Sequence, residues 1–145
     1  MLPSTANRVS EHTKPAINES ILNATEASVR HHARHPETIV GRLRELDQEW
    51  DIERALEANA ATLALMGVAL GATVDRRWLA LPAMVTAFLL QHALQGWCPP
   101  LPVLRRLGFR TAREIESERM ALKLLRGDFD PRVGSRESLV RRALH

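Results

Sequence analysis

The chain has 145 residues, enough for one domain, and its formal net charge of +3 comes from 20 Lys and Arg against 17 Asp and Glu. The basic residues are interleaved with acids, and three Trp, three Phe and no Tyr offer no stacking platform for single-stranded nucleic acid, so no nucleic-acid partner is expected. The single cysteine excludes an intrachain disulfide and any metal site built on paired cysteines.

The N-terminal part of the chain is polar and leads into predicted helices. Residues 1–16 are expected to be flexible, and they show no basic segment followed by an apolar core, so no signal peptide is expected. Residues 17–54 are predicted to form an amphipathic helical flank. Its second half carries one apolar stripe, formed by Ile39, Leu43, Leu46 and Trp50. The helix with this stripe either continues into the next segment or breaks at the end of the stripe.

Two charge-poor apolar runs follow, at residues 58–74 and 78–97, and only the charged turn 75–77 separates them. A membrane-spanning helix needs about 20 mostly apolar residues, and both runs fall within the usual range of about 17–25. A charged side chain in mid-membrane costs about 2.5–3.5 kcal/mol, and neither run contains Asp, Glu, Lys or Arg. The sequence therefore predicts a transmembrane helical hairpin over residues 55–103.

A basic helical flank is predicted after the hairpin, at residues 104–145. Three prolines within 99–102 precede it, and an extended segment is expected there because proline cannot continue a helix. A capping box beginning at Thr111 opens a helix that should end near Gly127, and a shorter helix is predicted at 138–144. No segment shows a strand pattern, so the predicted fold is all-α, a two-helix transmembrane hairpin flanked by amphipathic cytoplasmic helices.

Small residues recur one helical turn apart in both apolar runs. This spacing lets helix backbones approach closely, which is how helices gain packing energy in lipid. The predicted helix-packing positions are Ala60, Ala64, Gly67, Gly71, Ala83 and Ala87. Because a two-helix hairpin is small, the same spacing favours a homo-oligomer.

Aromatic and basic residues mark the predicted membrane boundaries. Tryptophan favours the headgroup level, and one tryptophan stands at each end of the second run. More arginines lie on the side of the chain termini than in the loop, so the positive-inside rule predicts cytoplasmic termini in a bacterial inner membrane. The predicted membrane-interface residues are Trp78, Trp97, Arg76, Arg77, Arg105 and Arg106.

A soluble protein is the alternative interpretation of the two runs. Pro82 lies in the second run, and Gln91, His92 and Gln95 make the end of that run more polar. However, a helix that is apolar all round must be covered all round, and the flanks supply only thin apolar stripes. This alternative therefore requires an oligomer that buries the hairpin between subunits.

Candidate reactive and metal-binding side chains are few. Cys98 is the one candidate reactive group, and a working thiolate needs positive surroundings and access. His31 and His35 are one helical turn apart and could share a metal ion with a third ligand, although a solvated helix face is the simpler interpretation. The sequence contains no paired nucleophile and base, no phosphate loop and no cofactor motif, so neither a cofactor nor catalysis is expected.

A family resemblance rests on the sequence GWCP at 96–99, which closes the hairpin, and on LRRLG at 104–108, which follows it. With the glycine-rich first run, residues 53–111 resemble the YgaP-like inner-membrane domain family. The resemblance implies a small integral membrane domain that is dimeric. Some members are fused to a rhodanese sulfurtransferase domain, which points to sulfur handling, but residues 1–54 are too short for such a domain and show no strand–helix alternation.

The sequence thus predicts a non-catalytic membrane anchor or interaction module that acts as a homo-oligomer. Its expected partners are the lipid bilayer, further copies of the chain and a protein that binds the cytoplasmic flanks. The soluble oligomer is the first alternative function. A membrane protein that carries sulfur as a thiol or persulfide on Cys98 is the second.

Overall fold

The computed structural model describes residues 7–129, which form α-helices joined by short turns and contain no strand. Their bounds are α1 (Arg8–Glu11), α2 (Pro15–Arg34), α3 (Ile39–Gln48), α4 (Ile52–Thr73), α5 (Ala80–Gln95), α6 (Leu101–Arg106) and α7 (Ala112–Arg126). Two 3₁₀ turns lie at Pro36–Thr38 and Arg76–Leu79. The prediction of an all-α fold is confirmed.

The described residues divide into two compact units. We call the first the hairpin unit, which contains residues 7–20 and 50–112, and the second the flank unit, which contains residues 21–49 and 113–129. Each unit therefore combines a segment from before the apolar runs with a segment from after them.

Helices α4 and α5 make the hairpin itself. The chain breaks before α4, because Glu49 has an extended backbone and the side chain of Asp51 caps the new helix by accepting from the Arg54 N–H at 2.7 Å. At the far end, the carboxylate of Asp75 accepts from the Arg77 N–H at 2.8 Å and starts the 3₁₀ turn. The hairpin ends at Gly96, whose φ of 78° closes α5 in a left-handed cap.

The core of the hairpin unit lies at its base, the end where α4 begins and α5 ends. A buried cluster there contains Val9, Ile52, Leu56, Cys98 and Leu101, drawn from α1, α4 and the chain after α5. Gly96 packs directly on α1, since a Cβ at this position would lie 2.5 Å from the Arg8 Cβ. Apolar burial and this close approach hold the short helix α1 against the hairpin.

Two local expectations differ from the structure. The segment after α5 is not extended, because Pro100 precedes α6 and Pro102 lies within its first turn, where the missing N–H has no intrahelical partner to lose. Residues 7–14, expected to be flexible, form α1 and a turn, and Val9 is buried there. Residues 1–6 of the segment expected to be flexible lie outside the described residues.

The flank unit is built around α3, α7 and the part of α2 that follows Ser20. The apolar stripe predicted on α3 supplies three of the five residues of its core, which contains Ile39, Leu43, Leu46, Ile115 and Leu122, whereas Trp50 of the predicted stripe is exposed. Helix α7 begins directly after Thr111 and ends before Gly127, whose φ is 84°, as the capping pattern predicts. The helix predicted at 138–144 lies outside the described residues.

Candidate membrane-spanning hairpin and the polar cluster at its base

Two helical stretches of the described chain are long and apolar enough to cross a membrane, Pro36–Thr73 and Arg76–Gln95. Within the first stretch, the 22 residues of α4 span about 33 Å, close to the thickness of a hydrocarbon core, about 30 Å. Only 22% and 6% of the most apolar windows of the two stretches are buried. The outward side chains are large and apolar, for example Leu65, 72% exposed, and Leu90, 62% exposed.

The small residues of α4 face the second helix of the same hairpin. Gly67 and Gly71 are buried, and a Cβ at Gly67 would clash with the side chain of Pro82, while one at Gly71 would lie 2.6 Å from Leu79 Cδ2. Ala60 and Ala64 on the same helix are half-buried. The glycine spacing therefore serves contact within one chain.

The small residues predicted on α5 are placed differently. Ala83 and Ala87 are both exposed. They lie one helical turn apart on α5 and remain exposed within residues 7–129.

The predicted membrane-interface residues fall into two groups. Arg76, Arg77 and Arg106 are exposed, and Trp78 is 45% exposed beside the loop. Trp97 instead is half-buried and packs against the apolar cluster at the base.

The prediction that Arg105 faces the membrane surface is wrong. Its side chain is 1% exposed and lies inside the hairpin unit. The guanidinium donates to Thr13 Oγ1 at 3.2 Å, to Asn18 Oδ1 at 2.8 Å and to the Phe109 carbonyl at 3.0 Å. The bonds to Thr13 and Asn18 join α6 to the turn after α1 and to the first turn of α2, and the three bonds together explain how a buried guanidinium is tolerated.

A polar cluster lies at the base of the hairpin, where Glu53, His92 and Arg8 meet. His92 is buried, and its Nε2 lies 2.9 Å from Glu53 Oε2, while Arg8 donates from Nη2 to Glu53 Oε1 at 3.0 Å. Glu53 precedes the apolar run 58–74. Each oxygen of the Glu53 carboxylate therefore has a hydrogen-bonding partner, one in His92 and the other in Arg8.

Cys98 is a free cysteine buried beside this cluster. His92 Nδ1, the ring nitrogen that does not face Glu53, is buried and makes no hydrogen bond within the described residues. Cys98 also lines a groove of about 80 Å³ between α4 and α5, together with Leu56, Asn59, Leu63, Val85 and Phe88. The groove is therefore almost wholly apolar, with a thiol at its base.

The histidines considered as metal ligands lie in the flank unit. The rings of His31 and His35 are 4.8 Å apart, and His35 Nδ1 lies 3.5 Å from a Glu37 carboxylate oxygen. Across residues 7–129 no group of three or more His, Cys, Asp or Glu side chains is arranged to hold a metal ion.

The pairing of Glu53 with His92 is the main feature that the sequence does not reveal locally. The two residues are far apart in the chain, and periodicity reports only near neighbours. The positions of the two residues relative to the loop nevertheless offer a signal for this pairing. Folding the two apolar runs about the loop 75–77 brings the start of α4 beside the end of α5, and therefore places an acid within about one turn of a histidine.

Comparison of the chain with family models, with curated proteins and with solved structures gives no match. The resemblance of residues 53–111 to the YgaP-like inner-membrane domain family stays a prediction. The support for a function is accordingly the geometry of the two units.

Proposed function

We propose that this protein is an integral protein of the bacterial inner membrane whose α4–α5 hairpin spans the bilayer. It acts as a non-catalytic membrane anchor or interaction module in the form of a homo-oligomer. The observation that carries this proposal is the exposure of long apolar faces on α4 and α5, which contain no Asp, Glu, Lys or Arg between residues 58 and 74 or between 78 and 97. Such a surface is unfavourable in water and favourable in lipid.

Three threonines on the apolar helices support residence in lipid, because their hydroxyl groups are hydrogen-bonded locally. The hydroxyls of Thr62 and Thr73 donate to carbonyls one turn back in α4, each at 2.7 Å, and Thr86 donates to the Pro82 carbonyl at 2.8 Å. In hydrocarbon an unsatisfied polar group costs several kcal/mol, so internal hydrogen bonds are required there. These three threonines meet that requirement without water.

The orientation follows from the distribution of arginine. The loop holds Arg76 and Arg77, whereas more arginines flank the hairpin on the side of its base. The positive-inside rule therefore favours a cytoplasmic base and cytoplasmic flanks. A protein partner would then meet the flanks in the cytoplasm.

The oligomer has a candidate contact in Ala83 and Ala87. Both are exposed and lie one turn apart on α5, which is the spacing that allows a second helix to approach closely. Gly67 and Gly71 already serve the contact within the hairpin. A second copy of the chain would therefore pack on α5.

Membrane fractionation tests the integral location. The chain is expressed, membranes are separated from cytosol, and the pellet is washed with alkaline carbonate. We expect the protein to stay in the washed pellet and to be released only by detergent. Release as a discrete soluble oligomer would overturn the proposal and support the alternative in which subunits bury the hairpin.

Chemical labelling tests the orientation. In a Cys98→Ser background, Val74→Cys places a thiol beside the loop and Met120→Cys places one in the flank unit, and both parent side chains are exposed. A membrane-impermeant maleimide added to intact spheroplasts should label the loop thiol at once and the flank thiol only after permeabilisation. The opposite pattern would overturn the proposed orientation and leave the integral location standing.

A further inference from the structure

Helix α6 has one buried side and one exposed side. Leu101 packs into the apolar cluster at the base with Ile52 and Leu56, and three hydrogen bonds hold the guanidinium of Arg105 inside the hairpin unit. Leu101 and Arg105 lie one helical turn apart, so together they fix which side of α6 faces inward. The opposite side, which we call the outward face of α6, consists of Pro102, Val103, Arg106 and Leu107, all of which are exposed.

The level of α6 relative to the apolar runs follows from the residues on which it packs. Ile52 and Leu56 lie six and two residues before Ala58, where the first apolar run begins. At 1.5 Å per residue these positions are about 9 and 3 Å from the start of the run. A helix at a membrane surface is buried about 5–10 Å into the boundary between headgroups and acyl chains. With the apolar run in the hydrocarbon core, α6 therefore lies at the headgroup level.

The outward face combines apolar area with positive charge. Val103 is 56% exposed and Leu107 is 70% exposed. Arg106, which lies between them in the sequence, forms no ion pair within residues 7–129. No acidic residue occurs between Asp75 and Glu114, so the surrounding chain contributes no negative charge to this face. Its electrostatic complement is an anionic surface with an apolar layer beneath it.

A second contact at the same level lies at the start of α4. Trp50 is exposed, and the guanidinium carbon of Arg54 lies 4.5 Å from the centre of the indole ring. Tryptophan favours the headgroup level, so this pair adds contact with the same lipid layer. The exposed Glu57 is about one turn beyond Arg54 and offsets its charge. Selection for anionic lipid therefore falls to the outward face of α6.

We propose that the outward face of α6 binds the headgroups of anionic phospholipids on the cytoplasmic side of the bilayer. Arg106 attracts the lipid phosphate groups, and Val103 and Leu107 enter the adjoining acyl layer. One arginine near an anionic membrane surface contributes about fivefold to affinity. This inference rests on the proposed residence of the hairpin in the inner membrane, and it names the class of lipid that the base of the hairpin selects.

A second copy of the chain is a poorer occupant of the outward face. In a two-fold contact between copies the same patch meets itself, so Arg106 of one copy would approach Arg106 of the other. Like charges brought together across an interface are unfavourable, and the outward face contains no acid that could separate them. An anionic lipid surface meets no such repulsion.

A dye attached to α6 tests the proposal in the full-length protein. A chain with Cys98→Ser and Val103→Cys has one thiol, on the outward face, and this thiol is labelled with a polarity-sensitive dye. The labelled protein is reconstituted in phosphatidylcholine vesicles that contain rising fractions of phosphatidylglycerol. We expect the emission to move to shorter wavelength as that fraction rises, because the face docks more closely in the headgroup layer. Emission that is independent of the phosphatidylglycerol fraction would overturn the proposal.

Matched variants identify the charge that responds. Arg106→Gln should need about fivefold more phosphatidylglycerol for the half-maximal emission shift. Arg106→Lys should stay close to the parent, since either cation attracts a phosphate group. The control Arg77→Gln alters an exposed arginine at the other end of the hairpin and should respond like the parent. Equal responses of Arg106→Gln and the parent would overturn the role of Arg106.

The ratio of protein to lipid distinguishes a lipid occupant from a second copy of the chain. The phosphatidylglycerol fraction is held constant while the vesicles are diluted with lipid of the same composition. The emission should not change, because the lipid that surrounds each chain is the same. A shift to longer wavelength on dilution would assign the outward face to a second copy and overturn the proposal.

Carbonate extraction distinguishes failure of this inference from failure of the proposed function. Arg106→Gln should remain in the washed pellet, since the apolar faces of α4 and α5 are unchanged. If the parent chain resists carbonate and the dye on α6 does not respond to phosphatidylglycerol, only the inference about lipid class fails. If the parent chain is soluble, the proposed function fails as well.

Discussion

The hairpin unit and the flank unit are both helical, yet they distribute apolar and charged side chains differently between core and surface. In the flank unit a core of five apolar residues faces inward, and charged side chains such as Arg30 and Glu45 share the surface with exposed apolar side chains such as Leu22. In the hairpin unit the long helices turn apolar side chains outward and bury small and polar groups at their contact and base. The first arrangement suits water, and the second suits lipid.

Glu118 in the flank unit and His92 in the hairpin unit are both buried polar side chains, but they differ in how fully they are hydrogen-bonded. In the flank unit, Glu118 is 0% exposed and accepts from Arg42 through two nitrogens at 2.9 and 3.2 Å and from Ser28 at 2.6 Å. This network joins α2, α3 and α7 around one carboxylate. In the hairpin unit, the buried His92 keeps one nitrogen without a hydrogen bond within the described residues. A carboxylate bonded by several donors stabilises the fold around it, whereas the buried nitrogen of His92 adds no such bond.

Removing the guanidinium from the flank network should have the largest effect. Arg42→Ala removes an ion pair and two hydrogen bonds from the buried Glu118 carboxylate, which should destabilise the flank unit by about 3 kcal/mol. Hydrogen exchange of the α3 and α7 amides should show the loss, while α4 and α5 amides stay protected. Adding Glu118→Gln to Arg42→Ala should restore part of the protection, because the neutral amide still bonds to Ser28. Equal exchange in parent and Arg42→Ala would show that the network is not structural.

Replacing an exposed leucine by arginine should give the second largest effect, and that effect should be much larger in the hairpin unit than in the flank unit. Leu65→Arg puts a guanidinium in the middle of α4 and should oppose membrane insertion by about 2.5–3.5 kcal/mol. Leu22→Arg makes the same change at a flank-unit side chain that is 56% exposed, and it should alter stability by less than about 0.5 kcal/mol. The measurement is the fraction of each protein that resists carbonate extraction. If both variants fractionate like the parent, the outer face of α4 is not in lipid.

Replacing glycine by alanine should change the free energy of unfolding in opposite directions in the two units. Gly67→Ala drives a Cβ into Pro82 and should destabilise the hairpin by about 1–3 kcal/mol. Gly41→Ala lies in the middle of α3, where a Cβ would meet nothing within 4 Å, and it should stabilise that helix by about 0.5–1 kcal/mol. Thermal unfolding in detergent, followed by far-ultraviolet circular dichroism, measures both. Equal shifts of the same sign would contradict the close packing of α4 on α5.

The sequence predicts those features of the fold that local pattern controls. The apolar runs locate α4 and α5, and Thr111 and Gly127 bound α7, because hydrophobic length and capping act within a few residues. Helix α1, the burial of Arg105 and the pairing of Glu53 with His92 depend on contacts between distant segments. The periodicity of a single sequence carries no information on contacts between distant segments. It therefore cannot distinguish an exposed arginine in a basic stretch from Arg105, which is buried and bonds α6 to Thr13 and Asn18.

A titration confined to the flank unit gives the smallest expected effect. Burial, and then the nearby His31 and Arg42, lower the pKa of His32 below its ordinary value of 6.5, outweighing the opposing Glu118 and Glu45. The unfolded chain therefore binds a proton at His32 more readily than the folded chain does. The stability that this side chain contributes is complete above about pH 6.5 and declines as the pH falls below it.

Hydrogen exchange of the α2 and α3 amides at about pH 5 and pH 8, after correction for the intrinsic rate, measures this change. The parent flank unit should open more often at the lower pH, and His32→Gln should remove part of the difference. His32 Nδ1 lies 2.6 Å from Thr38 Oγ1, and that hydroxyl donates to the His35 carbonyl, so the ring donates and a glutamine amide can replace it. The hairpin amides should not respond to this substitution. A pH dependence that is unchanged in His32→Gln would assign the effect to another group.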